Sequence, residues 1–214
     1  MLTIDLYTEL TCPWCIIGMH RLDKVLSERA AGEAVTIRHH PVMLMRGLPQ
    51  EGRALAGLLL ERYGITDPRQ AFARPEAEAR ASGLELDLMR QPMAYPTIAA
   101  HTLLRLAEPR GTQHALAVAI SHAYFLEAHN IADPQVLADI AAAHGFTHHE
   151  AARLAVDPAE QALTDRAAEE VAAQGVRSVP HFVFNNAAVL NGGRSEDELA
   201  AAIDRAISEA RAEA

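Results

Sequence analysis

Apolar and polar residues alternate from Leu2 to Thr8, the period-two pattern of a strand with one face on a core. The period changes after Cys12. Cys15, Met19, Leu22, Val25 and Leu26 recur at helical spacing, Arg21, Asp23 and Lys24 fall among the polar positions, and Gly32 marks the expected close of the helix. Val35 to His40 is a second short β-prone run, stopped by Pro41. Residues 1 to 41 therefore read strand, helix, strand.

From Glu51 to about Gly145 the strand signal nearly vanishes, and Ala/Leu/Glu/Arg-rich segments are punctuated at Asp67-Pro68, Tyr95-Pro96-Thr97 and Asp133-Pro134. This predicts a helical insertion. Pro75 is expected to interrupt one helix, and Leu84 to Leu88 fits either a helix or extended chain. Thr147 and Glu150 have capping-box spacing, and Asp157-Pro158 starts a helix that should run to Gly175 and return the chain to the sheet. His181 to Phe184, the turn pair Asn185-Asn186 and Ala187 to Leu190 then predict a β-hairpin. After Asn191-Gly192-Gly193, a capping box at Ser195 and Glu198 opens a last amphipathic helix carrying Leu199, Ile203 and Ile207. The expected fold class is α/β, with β-α-β at the start, α-β-β-α at the end and a large helical insertion between them. Residues 1–48 and 158–214 are expected to form one discontinuous domain around an inserted unit at 49–157.

Composition adds constraints. Half of the 214 residues are hydrophobic, enough for a packed core, and 28 acidic against 19 basic residues give a net charge of -9. The basic residues are scattered, which argues against nucleic acid as a partner. No apolar run reaches the ~18 residues of a membrane span, and the chain opens on strand-like residues without a basic, apolar leader. A cytoplasmic location is the expectation.

The only two cysteines are Cys12 and Cys15, spaced C-x-x-C. In a reducing compartment such a pair is more often a metal half-site or a catalytic dithiol than a structural staple. No second C-x-x-C follows, and His144 and His148, although spaced i, i+4, are separated by Gly145; a metal is therefore not expected. At a helix start, residues i and i+3 share a face at a separation that suits a disulfide. Cys12, near the N-cap, would face unpaired N–H groups and act as the nucleophile; Cys15, on the apolar stripe, would be the buried resolving thiol. Pro13 suits the first helical position, and Trp14 adds apolar surface beside the sulfur. Glu9 is a candidate for opposing the thiolate or relaying its proton. No cofactor is expected beyond a Cys12–Cys15 redox disulfide.

The segment Thr8-Glu9-Leu10-Thr11-Cys12-Pro13-Trp14-Cys15-Ile16-Ile17-Gly18 resembles the signature of the DsbA family of the thioredoxin-like superfamily, and within it the FrnE-like oxidoreductases. Thr97, Ala100-His101 and Leu103 are similar to that group's helical T-x-x-A-H-x-L, and Gly175 to Val183 resembles its G-V-x-G-V-P-x-F-V, with Ser178 and His181 as departures. The resemblance implies a thioredoxin-like fold in which Pro180 is cis and packs opposite the helix start, and in which the Val179 backbone receives the substrate by strand-like hydrogen bonds. His181, beside that proline, would tune the Cys12 thiolate or cap a strand edge. The implied activity is thiol–disulfide exchange with protein or peptide substrates, with glutathione as a candidate co-substrate, in a monomer or homodimer. Two alternatives stay open: a glutathione-dependent isomerase or transferase similar to 2-hydroxychromene-2-carboxylate isomerase or kappa-class glutathione transferase, and a peptide-binding, chaperone-like module. Relatives of the isomerase type lack the second cysteine, so Cys15 argues against the former.

Overall fold

The computed structural model describes residues 1–30, 32–176 and 178–212; Arg177, part of the segment ahead of Pro180, lies outside them. β1 (Leu2–Thr8) sits inside a four-stranded sheet of order β2-β1-β5-β6, parallel to β2 (Val35–Pro41) and antiparallel to β5 (His181–Phe184), which pairs with β6 (Ala188–Asn191). The alternation read from the sequence sets this register: Leu2, Ile4, Leu6 and Thr8 are buried, and Ile4 and Leu6 stand opposite Phe184 and Phe182 on the same face. α1 (Pro13–Arg29) and α9 (Glu196–Ala212) pack against each other, and α9 also lies on β1, β5 and β6. The hairpin turns through Asn185 and Asn186, both at positive φ, a conformation asparagine tolerates better than most side chains.

Between β2 and β5 the chain is helical: α2 (Leu55–Tyr63), α3 (Pro68–Ala81), α4 (Ile98–Ala107), α5 (Gln113–Phe125), α6 (Pro134–Ala142), α7 (His148–Ala155) and α8 (Pro158–Ala173). Asp67, Asp133 and Asp157 each accept a hydrogen bond from the first turn of the helix they precede, with proline at the first helical position. The Thr147–Glu150 and Ser195–Glu198 capping boxes are both closed. One cluster of buried apolar side chains joins the sheet, α1, α9 and the helical segment.

Three local expectations change. α3 runs through Pro75 without breaking, because the ring is buried on the same face as Phe72 and Ala79 and its packing offsets the lost backbone bond. Leu84, Leu86 and Leu88 are buried and Glu85 and Asp87 exposed, so this stretch is extended chain with alternating faces, ending in a 3₁₀ turn at Leu88–Arg90. A two-residue ladder, β3 (Arg53–Ala54) with β4 (Met93–Ala94), also forms inside the helical segment. Among the described residues no helix is long and apolar enough to cross a membrane.

Arg21 ties three elements together. It is 4% exposed on α1, and its guanidinium donates to the Ser82 hydroxyl at 2.6 Å, the Arg194 carbonyl at 2.8 Å and both the carbonyl and carboxylate of Glu78. Truncation would strand several of these acceptors without a donor. Arg21→Met is expected to lower the unfolding free energy by about 2–3 kcal/mol, read as a lower urea midpoint at an unchanged m-value.

Candidate active site

Cys12 is the N-cap residue of α1, with extended backbone (φ -90°, ψ 121°), and Pro13 opens the helix. No acidic side chain lies in the first turn to cancel the positive end of the helix. Cys15 sits one turn in, fully buried, while Cys12 keeps 7% exposure; both are free thiols. The two sulfurs share a hydrogen bond, which holds the Cys12 thiol below its ordinary range; burial opposes this, and the N–H groups of Cys15 and Trp14 reinforce it. Burial pushes the Cys15 thiol well above its ordinary range, and the hydrogen bond with Cys12 adds to the rise. One sulfur is thus the more readily ionised and keeps a little exposure, and the other is a thiol buried beneath it.

Val179 joins the two cysteines in a small apolar cluster, against which Trp14 and Val42 pack. The Val179–Pro180 peptide is cis, and the Pro180 ring lies on Gly18, one turn beyond Cys15. A Cβ on Gly18 would fall 2.9 Å from Pro180 Cγ and 3.1 Å from the Phe182 ring, so only glycine admits this approach. Gly193 plays the same part for Trp14: a Cβ there would stand 2.3 Å from the indole. The Arg74 guanidinium lies 5.2 Å over the Trp14 ring. Thr11, Pro13 and Trp14, the chain neighbours of the two cysteines, line an apolar cavity of about 470 Å³ together with residues that include Phe72 and Tyr124.

Glu9 is 1% exposed. Its Oε2 accepts from the Leu44 amide at 3.0 Å and the Thr97 hydroxyl at 3.3 Å, and its backbone N–H faces the Cys15 sulfur. Thr97 is the N-cap of α4, yet its hydroxyl makes no capping bond and is given to Glu9 instead. The Glu9 charge acts on both cysteines, raising each thiol. His181 lies elsewhere: its ring meets Tyr7 edge-on at 4.9 Å and its Nδ1 bonds Asn191, so its contacts are with the sheet rather than with Cys12. Sequence reasoning missed Arg74, Gly193 and the diverted cap of Thr97, none of which carries a local signal. His101, quoted only as a family motif residue, stands 3.6 Å from Glu9 Oε1.

A family model described as the DSBA-like thioredoxin domain matches residues 3–204. No curated protein sequence matches the chain. Among solved structures, a probable DsbA oxidoreductase from Streptomyces coelicolor is 27% identical, with a TM-score of 0.84 over 98% of this chain and 91% of its own. The cytosolic disulfide reductase DsbM from Pseudomonas aeruginosa, solved with GSH, is 19% identical, with a TM-score of 0.67 over 99% and 100%. A 2-hydroxychromene-2-carboxylate isomerase is 14% identical, with a TM-score of 0.71 over 99% of both chains.

The asymmetry of the two thiols sets their reactivity. Cys12 is expected to alkylate first, with a pH midpoint below the ~8.5 of a free cysteine. Cys15→Ala removes the largest stabilising contact and should move that midpoint upward, as read by iodoacetamide kinetics and peptide mass mapping.

Proposed function

From the premise that the chain belongs to the DSBA-like thioredoxin domain family, we propose that it is a thiol–disulfide oxidoreductase whose working groups are Cys12 and Cys15. One observation carries this reading: a low-lying thiol at the N-cap of α1 is hydrogen-bonded to a buried, protonated thiol one turn below. As reductant, the Cys12 thiolate attacks a substrate disulfide, forms a mixed disulfide and releases one substrate thiolate. Cys15 gives up its proton, attacks the Cys12 sulfur and expels the second thiolate. The substrate gains two electrons and the enzyme is left with a Cys12–Cys15 disulfide. Reversal oxidises a dithiol client.

In this reading Val179, ahead of Pro180, receives the substrate backbone in strand fashion, and the apolar cavity beside Trp14 takes a hydrophobic group next to the exchanging sulfur. Residues 1–48 and 158–214 form the redox fold, and the inserted unit at 49–157 supplies most of that cavity's wall. FrnE-like oxidoreductases are the subgroup its motifs resemble. The neighbour solved with GSH makes glutathione the first co-substrate to try, in a cytoplasmic setting. A glutathione-dependent isomerase is the second reading, favoured by the full-length likeness to a 2-hydroxychromene-2-carboxylate isomerase and by the apolar cavity. That chemistry has no use for a resolving thiol.

Turnover of a disulfide-bonded model protein, with glutathione as reductant, separates the two. Cys12→Ser is expected to abolish reduction, and Cys15→Ser to lower it at least about tenfold while mixed disulfides accumulate on Cys12. Full disulfide reduction by both variants, or chromene isomerisation undiminished in Cys15→Ser, would contradict the dithiol reading.

A further inference from the structure

Trp14, the only tryptophan of the chain, packs against the cluster of Cys12, Cys15 and Val179. The Arg74 guanidinium lies 5.2 Å over its ring, and Gly193 meets the same indole so closely that a Cβ there would stand 2.3 Å away. Arg74 is exposed on α3, in sequence between Phe72 and Pro75, which are buried and line the apolar cavity together with Trp14. The cation is held at the edge of the site rather than inside it. The helix that carries it is fixed as well, since Arg21 of α1 bonds both Glu78 and the closing residue Ser82.

A guanidinium over an aromatic face is attracted through its charge, which leaves its N–H groups available for a planar acceptor. Among the described residues no carboxylate pairs with Arg74. Those closest along its helix are committed elsewhere: Glu78, one turn on, pairs with Arg21, and Glu76 accepts from the Leu88 amide. On the side of α9, Arg194 is paired with Glu198, and Lys24 of α1 with Glu196. Of the three arginines on α3, Arg69, Arg74 and Arg80, only Arg74 lies over a ring among the described residues. The chain as a whole carries a net charge of -9, so an anionic substrate meets a repulsive field on approach. A cation fixed beside the dithiol reverses that field locally.

We propose that Arg74, held on Trp14, is a carboxylate subsite: it receives a carboxylate that the disulfide substrate carries close to its exchanging sulfur. This rests on the dithiol reading above and names a substrate class within it. The same chemistry has two sources, a glutathionyl half or an acidic residue next to a cysteine in a peptide. Either presents two coplanar oxygens to the fork of the guanidinium, a bidentate pairing that the point charge of a lysine does not reproduce. Arg74 acts on what is joined to Cys12 rather than on the sulfur itself. The Cys12 thiol is shifted by Cys15, by burial, by the Trp14 amide and by Glu9. Arg74 is therefore a specificity residue, and its loss changes which disulfides are taken.

The test compares two small disulfides that differ in charge: dithiodipropionate, with a carboxylate on each half, and hydroxyethyl disulfide, which has none. The reduced protein is mixed with each over a range of concentrations, and formation of the Cys12–Cys15 disulfide is followed by Trp14 fluorescence and by acid quench and mass. Arg74→Gln is expected to lower the ratio of the two rate constants, carboxylate over hydroxyl, at least about fivefold. Arg74→Lys should recover only part of that ratio, and Arg74→Glu should lower it further. Arg80→Gln, which removes the same charge from the same helix, should leave the ratio as it is. Oxidised glutathione and a disulfide-linked peptide with Asp or Asn after its cysteine then identify the source, as the probe whose rate falls in Arg74→Gln. An unchanged ratio in Arg74→Gln, even where both rates fall or the Cys12 alkylation midpoint moves, would overturn the subsite. So would an equal fall in Arg80→Gln, or a fall with neither glutathione nor the Asp peptide. A wild-type protein that forms no intramolecular disulfide with either small probe would contradict the dithiol reading itself, and the subsite with it.

Discussion

The hydrogen bond between the Cys12 and Cys15 sulfurs is the constraint on which the rest depends. It requires both thiols in one apolar pocket, and an ionised sulfur there is tolerable only where something replaces water. The N–H groups of Cys15 and Trp14 at the start of α1 supply part of that replacement, and the Cys15 thiol supplies the largest part. The cost is carried by Cys15, whose burial pushes its thiol well above the ordinary range. Difference between the two cysteines, rather than their proximity, decides which sulfur is the more readily ionised.

Keeping that pocket closed draws on elements far apart in the chain. Gly18 lets Pro180 settle on α1, and Gly193 lets Trp14 lie flat against the loop before α9. Arg21 locks α1 to Ser82 and Glu78 on the helical segment and to Arg194 on that same loop. Thr97 leaves the first turn of α4 without its side-chain cap in order to hold Glu9. A local rule of helix formation is broken at that point, and the compensating bond is made at the site.

Much of the scaffold was readable because it is written in short-range signals. The alternation of Leu2 to Thr8 marked a strand, Asp-Pro pairs marked helix starts at Pro68, Pro134 and Pro158, and two capping boxes closed as spaced. The resemblance carried by Thr8 to Gly18 led to the family that matches residues 3–204. What was not readable depends on tertiary packing. Pro75 looks like a helix breaker until its ring is seen buried, and Leu84 to Leu88 has no preferred period until its leucines meet the core. Nothing local joins Glu9 to His101, because their meeting depends on how α4 docks behind β1 and β2. The Cys12–Cys15 pair and Glu9 were singled out from the sequence; the Leu44 amide and Thr97 hydroxyl that hold the Glu9 carboxylate were not.

The most direct measurement of the central claim is a redox titration of the two thiols. The protein is equilibrated with reduced and oxidised glutathione over a wide range of ratios, acid-quenched, and its Cys12–Cys15 disulfide quantified by mass. A paired dithiol gives one reversible two-electron transition, about 30 mV for each tenfold change in the equilibrium constant, with little glutathione left attached at the end point. Persistent glutathione adducts on Cys12 with no intramolecular disulfide at any ratio would contradict it.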